Sequence, residues 1–340
     1  MKLVQYLAGA VVVTAMVLAI APLGHAEVTT LRIESNLPAN HASSRAMEVF
    51  KAEVERRSGG SIEIEVSAGA PRSLKEMIDA VHVGSVFATW TGIGNFSRLV
   101  PEIAAVSLPF VFENYDEARR AVVGRPIGSL ITTKLNAKGF HVLAWMDLGV
   151  LHVSNSKRPL KTLDDFKGLS IRVLPNAAHL ATFKAVGARP VAMDLKDVGP
   201  AMQQGDIDGE EQDYSTTYNN KYYESQRYLS NTAHFMDFHV LVANKKAFAG
   251  LDPMQQKAVR DAAAIAAAQQ HKMTTEDEVT ALARLREKGV QFDPLPPETR
   301  VALRRATTSV IDDVRKWVGA DIVNNVLAAN RPSVSDKVRR

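Results

Sequence analysis

Polar and apolar residues alternate strictly over 61–66, Ser-Ile-Glu-Ile-Glu-Val, and again over 30–34, Thr-Leu-Arg-Ile-Glu. A period of two puts the isoleucines on one face, so both stretches predict half-buried strands. Between them, Met47, Phe50 and Val54 recur at helical spacing, which predicts a helix over 43–57 stopped by Gly59-Gly60. The pattern continues with a helix over 74–83 ended by Gly84, then a short strand over 86–90. Further strands are predicted over 140–145, 150–153, 170–174 and 240–243, with Met146 to Gly149 joining the first two. Helices are predicted over 177–186, before Gly187, and from Asp194 as N-cap to about 204, with Gly199-Pro200 expected to kink or interrupt the latter. Strands that keep alternating with helices argue for an α/β fold with a mainly parallel sheet.

The last stretch of the chain, from Asp252, changes character. Asp252 is a candidate N-cap, Pro253 suits the first helical position, and no Pro or Gly follows until Gly289. About thirty-five residues at 1.5 Å each make a helix roughly 50 Å long, more than the width of one small domain. A second helix is predicted over about 298–318. A chain that begins in one α/β lobe, crosses to another, returns and lays a long helix across both makes a two-lobed fold. Small ligands bind in the cleft of such a fold.

Composition changes the picture at three points. The 340 residues carry a formal charge of +4 with Lys and Arg spread along the chain, and no basic block argues for nucleic acid. There is no cysteine, hence no disulfide and no thiolate site. Lys2, an apolar run over 7–23 and the small residues of Gly24-His25-Ala26 read as a signal peptide cleaved after Ala26, with a membrane anchor as the alternative. An exported chain without disulfides fits the periplasm, where size supplies the core.

Candidate chemistry is sparse. The chain has no nucleophile elbow, phosphate loop or zinc-protease motif, and nine scattered histidines, of which His234 and His239 lie closest, lack the spacing of a familiar zinc site. No cofactor is expected. Asp206, Asp208, Glu210, Glu211 and Asp213 form an acidic group that is either a solvated turn after a helix or a set facing a ligand or cation. Tyr214, Tyr218 and Tyr222 recur every four residues, as on one face of a helix. Trp90 closes its strand, packed in a core or facing a ligand. Arg172 stands between Ile171 and Val173 on a short strand. It is either exposed or a fixed guanidinium that grips a carboxylate bidentately.

Several stretches together resemble the solute-binding proteins of TRAP transporters, the C4-dicarboxylate-binding, DctP-type periplasmic family: 155–173 with Ile171-Arg172-Val173, 186–193, Asp208-Gly209-Glu210-Glu211 within 201–211, 221–230, Leu108-Pro109-Phe110 and 58–64. The resemblance spans nearly the whole chain after the leader. It implies an α/β, two-lobed periplasmic-binding-protein-like fold with a long helix spanning both lobes. Lobe I would comprise 27–149 plus about 238–278, and lobe II 150–237 plus about 279–340. It implies no catalysis, a cleft that closes on an organic acid, and delivery to TRAP membrane subunits, and it fixes no oligomeric state.

In that family the arginine matching Arg172 grips the ligand carboxylate. Gln212 would bond the carboxylate or a neighbouring hydroxyl, Trp90, Leu151 and Leu195 would shape the rest, and Asp213 would meet a donor or cation. Asn36 and Phe235 are placed near the cleft by their positions beside strands. The chain departs from the family where Leu151 replaces a second arginine, Gln212 an asparagine, Asp213 a proline and Leu195 an aromatic. One positive charge fewer and one negative charge more favour a monocarboxylate with an apolar body, or one bearing a hydroxyl or amino group, over a small dicarboxylate. An exported cleft enzyme and a ligand-sensing subunit of a receptor kinase are the alternatives, separated by turnover and by neighbouring genes.

Overall fold

The computed structural model describes residues 28–329, so the expected leader lies outside the described residues. In chain order the elements are β1 (Thr29–Ser35), α1 (Ala42–Arg57), β2 (Ile62–Ala68), α2 (Leu74–Val83), β3 (Ala88–Gly92), α3 (Tyr115–Val122) and α4 (Pro126–Ala137). Then come β4 (Phe140–Asn155), β5 (Ser170–Val173), α5 (Ala177–Ala185), β6 (Arg189–Ala192), α6 (Leu195–Gln204), β7 (Gly209–Gln212) and α7 (Tyr214–Asn219). The chain continues through β8 (Tyr228–Asn244), α8 (Lys245–Ala249), α9 (Pro253–Glu287), β9 (Gln291–Pro294), α10 (Pro297–Ala306), α11 (Thr308–Val318) and α12 (Ala320–Ala329).

The sheet order is β2-β1-β3-β8-β4-β7-β5-β6, with β9 beside β8. Two parallel groups, β2-β1-β3 and β7-β5-β6, flank the antiparallel ribbon of β8 and β4. The register decides where these groups point. Along β3, Ala88 faces Ala243 and Gly92 faces His239. Along β7, Gly209 faces Asn155 and Gln212 faces His152. Both groups therefore aim their C-terminal ends at the middle of the ribbon, from opposite sides. Open α/β sheets bind ligands at those ends.

The middle of the ribbon is irregular. The register shifts between Asp147 and Gly149 and again between Leu151 and Val153. Gly149 has φ +130°, which a side chain would strain. The four residues expected to join two strands are thus carried inside one sixteen-residue strand, because β8 pairs with Met146, Asp147 and Gly149 across a bulge at Leu148.

α9 runs from Pro253 to Glu287 as its caps predict, with Asp252 accepting from the backbone of Met254 and Gln255. Its buried face is built of small residues, Ala258, Ala262 and Ala266, four apart, which lets α1 lie along it. Val259, Ala262, Ala263 and Ala266 join the core of β1, β2, β3 and α1, whereas Ala281 and Leu285 pack with Tyr214 and Leu229. One helix thus packs on the β1, β2, β3 side at its start and on α7 and β8 towards its end.

Four expectations are corrected. β8 extends far beyond 240–243, because its polar residues are buried against partners elsewhere in the fold, His234 on Glu211 and His239 on Ser43. Pro200 sits inside α6 without interrupting it. The tyrosine repeat does not share one helix face: α7 ends at Asn219, and Tyr214 and Tyr222 pack into different clusters. The helix expected over 298–318 divides at Thr307 into α10 and α11.

Gly209 is where β7 presses on β4. A Cβ there would overlap the carbonyl oxygen of Ser154 and lie 2.8 Å from Asn155 Cβ. Gly209→Ala is expected to cost about 1–3 kcal/mol. Thermal unfolding should show a fall of several degrees, and an unchanged melting temperature would mean that β7 is not held this tightly.

Candidate functional site

A cavity lies where the strand ends converge. It is lined by Asn36 and Leu37 after β1, Thr91 and Gly92 at the end of β3, Asn95 beyond it, and Leu148 and His239 from the ribbon. The other group contributes Arg172 and Leu174 around the end of β5, Gln212 at the end of β7 and Thr216 of α7. Leu74 and Leu195, the first residues of α2 and α6, complete it. Its empty space is about 430 Å³, counting the part open to solvent. Helix starts facing a cavity carry partial positive charge and favour an anion. The two starts touch: Asp194, N-cap of α6, turns its Oδ2 to the Leu74 N–H at 3.4 Å instead of capping its own helix.

Arg172 occupies the floor. Alternation sends Ile171 and Val173 into the core beneath β5 and the arginine to the other face. It is 2% exposed. Nε and Nη2 both donate to the carbonyl of Met193, at 3.1 and 2.9 Å, while the buried Nη1 has no partner. Arg172 is paired in register with Glu210 on β7. Burial pushes the Glu210 carboxyl up to about 8, against the pull of Arg172. Near neutral pH Glu210 is therefore mostly uncharged, and the guanidinium keeps its charge for the cavity.

The next residue does the reverse. Glu211 points to the opposite face, where its oxygens meet His179 Nδ1 at 2.6 Å and His234 Nε2 at 2.9 Å. Burial raises its carboxyl, but the two imidazoles more than offset this and hold it at about 2. Glu211 also accepts from the Leu174 N–H at 3.0 Å, fixing the end of β5. The acidic group is therefore no solvated turn as a whole: Glu210, Glu211 and Asp213 are fully buried.

Residues 33–316 match the family described as bacterial extracellular solute-binding protein, family 7, of DctP type. The chain belongs to that family, the DctP-type solute-binding proteins of TRAP transporters. A solute-binding protein of Verminephrobacter eiseniae is 34% identical over 77% of this chain and 78% of its own length. The 2,3-diketo-L-gulonate-binding periplasmic protein YiaO of Escherichia coli is 30% identical over 72% and 75%. Among solved structures, the sugar acid binding protein of Advenella mimigardefordensis in complex with galactonate has a TM-score of 0.86, with 27% identity, 89% of this chain and 98% of its own covered. A TRAP periplasmic solute-binding protein of Sulfurospirillum deleyianum with bound succinate gives 0.85 and 26%, over 89% and 99%. The α/β, two-lobed architecture is that of these proteins. The family is periplasmic and serves transport.

Of the residues expected at a DctP-type site, Arg172, Gln212, Leu195 and Asn36 line the cavity together. Gln212 accepts from the Asp213 N–H through its amide oxygen at 3.3 Å, and the Nδ2 of Asn36 is buried without a partner. Leu151 and Phe235 stand one layer back, packed with the lining residues Leu148 and Leu174. Asp213 caps α7 through the Thr216 N–H at 2.7 Å, which positions the lining residue Thr216. Trp90 lies fully buried in the first core, its indole N–H on Ser44 Oγ at 3.2 Å, and Thr91 beside it takes the cavity. Gly92, Asn95, Leu148, Leu174 and His239 escaped the sequence reading, although a rule that looks at strand ends would have found Gly92 and Leu174.

Glu210 gives a pH test. The folded chain retains a proton that an ordinary glutamate loses near 4.5. That contribution to stability is fully present below 4.5 and is lost as pH rises through about 8. Wild type is expected to lose melting temperature between pH 6 and 9, and Glu210→Gln to flatten that decline. Parallel curves for the two chains would contradict the neutral Glu210.

Proposed function

We propose that this chain captures an organic acid in the cavity at Arg172 and delivers it to TRAP membrane subunits. The observation that carries the reading is the buried, unpartnered Nη1 of Arg172 at the convergence of both strand groups. A buried donor without a partner costs about 1–3 kcal/mol, more when charged, and a carboxylate oxygen supplies the missing acceptor. Among the described lining residues Arg172 is the one ionised side chain, since burial pushes the His239 imidazole well below its usual range. One cation balances one carboxylate, and a second carboxylate would enter unpaired. A monocarboxylate is therefore favoured. Leu148, Leu174, Leu37 and Leu195 would hold its apolar side, and Asn36, Gln212 and Thr216 its oxygens.

The relatives support the ligand class: galactonate and succinate are bound in the two structures above, and density in a Bordetella protein 26% identical was assigned as pantoate. Lobe I would be 27–149 with about 238–278, and lobe II 150–237 with about 279–340, closing about the irregular middle of β4 and β8. The leader would send the chain to the periplasm. Its work there would be capture and release without turnover.

The test is thermal unfolding of ligand-stripped chain with D-galactonate, D-glucuronate, D-galacturonate, pantoate and succinate. An acid at about 100 times its dissociation constant adds about 2.7 kcal/mol, a shift of several degrees. The shift should be larger with monocarboxylates than with succinate, and should vanish in Arg172→Ala. A shift that survives in Arg172→Ala would remove Arg172 as anchor, and no shift with any of the five would remove the organic-acid reading.

Gly92 supplies a steric test. A Cβ there sits at ordinary contact distance from Asn95, Leu148 and Leu174, at 3.5 to 3.8 Å, all of them lining residues. Gly92→Val would fill that space, weakening D-galactonate binding at least about tenfold by calorimetry while the empty chain melts close to wild type. Unchanged affinity would place the ligand elsewhere.

A further inference from the structure

A chain of hydrogen bonds runs from the interior of α9 to the cavity, and its direction can be read atom by atom. Gln270 is fully buried. Its Oε1 accepts from the Asp147 backbone N–H at 2.9 Å, which fixes the amide orientation, since an N–H can only donate. Its Nε2 is then the donor, and its two protons are shared among three acceptors, the Asp147 carbonyl at 2.6 Å, Thr274 Oγ1 at 2.8 Å and Ser43 Oγ at 3.1 Å. Ser43 Oγ accepts from Gln270, and its own proton faces the Nδ1 of His239 at 2.9 Å. The Ser43 backbone N–H is already given to His41 Nδ1 at 3.0 Å.

Among the hydrogen bonds of the described residues the buried Ser43 hydroxyl has no acceptor other than His239 Nδ1, and a protonated Nδ1 would leave that hydroxyl proton unpaired, so Nδ1 is the acceptor. A neutral imidazole carries one proton, and here it must be on Nε2. Burial, followed by the nearby His41, keeps His239 neutral. The ring lines the cavity with Nδ1 turned away to Ser43. Two more donors share the lining: the unpartnered Arg172 Nη1 and Asn36 Nδ2.

We propose that His239 is a specificity-determining ligand residue of the cavity, its Nε2–H held toward the ligand by Ser43 and Gln270, so that the site selects acids whose carbon body carries a hydrogen-bond acceptor, a hydroxyl or carbonyl oxygen, and rejects those with an ammonium there. This rests on the organic-acid reading of the cavity. An ammonium has no lone pair to offer to these three donors. Of the two substituents that suit a monocarboxylate here, hydroxyl and amino, the donor set selects the first. Gln270 and Ser43 are positioning residues: they set the tautomer and touch no ligand.

Two measurements test it. The first needs no ligand. Nitrogen-15 NMR of the imidazoles in the free chain, with the His239 signals assigned by their loss in His239→Gln, should show the Nε2–H tautomer. Ser43→Ala should convert it to a tautomer mixture. An Nδ1–H tautomer in wild type overturns the inference. The second is calorimetry with D-galactonate and pantoate. His239→Leu should weaken the tighter of the two about tenfold. His239→Gln, which keeps a donor near the Nε2 position, should stay within about threefold of wild type, and Ser43→Ala should fall between. Circular dichroism checks folding, and Ser43→Ala serves if His239→Leu does not fold. Binding that is lost in Arg172→Ala but unmoved in both His239→Leu and Ser43→Ala overturns this inference and leaves the organic-acid reading standing. Wild type that binds neither acid overturns both.

Discussion

A guanidinium buried with one nitrogen unsatisfied is the constraint on which the site turns. Taking a charge out of water is costly unless it is paired and hydrogen-bonded. Arg172 meets that requirement only in part, through the Met193 carbonyl. Its neighbour in register, Glu210, would complete the pair if ionised, but burial keeps it mostly protonated near neutral pH. The cation is therefore held rigidly and left incomplete, facing a space that a carboxylate fits.

The scaffold explains why the cation sits there. Two parallel strand groups run toward each other and stop at the middle of a shared antiparallel ribbon. Their C-terminal ends and the starts of α2 and α6 converge on one cavity, with contributions from both sides. The ribbon is irregular where the groups meet, at Gly149 and opposite His152, while α9 packs on the β1, β2, β3 core at one end and on α7 and β8 at the other. A ligand bound at such a junction touches both halves at once, and a ribbon that bends there would let the halves close on it.

Legibility in the sequence followed local chemistry. α2 is legible to the residue, with Gly84 in the left-handed conformation at its predicted end, and the structure adds a capping box of Ser73 and Glu76 at its start. α9 was equally plain, between Asp252 and Gly289. Arg172 stood out because a charge within a β-branched run has few uses. What escaped depended on partners distant in the chain. β8 carries Asp237, His234 and His239, which look like loop residues until Glu211, Ser43 and the opposite strand are placed around them. Glu210 and Glu211 look like a solvated turn, yet one is kept protonated by burial and the other is ionised between two imidazoles. Trp90 and Thr91 differ by one residue, and strand alternation gives the cavity to the smaller of them. His239 drew notice only for its spacing from His234, whereas its place comes from α9, thirty-one positions further on at Gln270.

The most direct measurement is a crystal structure of the chain with the carboxylate that raises its melting temperature most. The account predicts a carboxylate oxygen at hydrogen-bond distance, about 2.7–2.9 Å, from Arg172 Nη1, with Met193 still holding Nε and Nη2. A carboxylate seated elsewhere in the cavity, or an Arg172 whose Nη1 has turned to Glu210 instead, would contradict it.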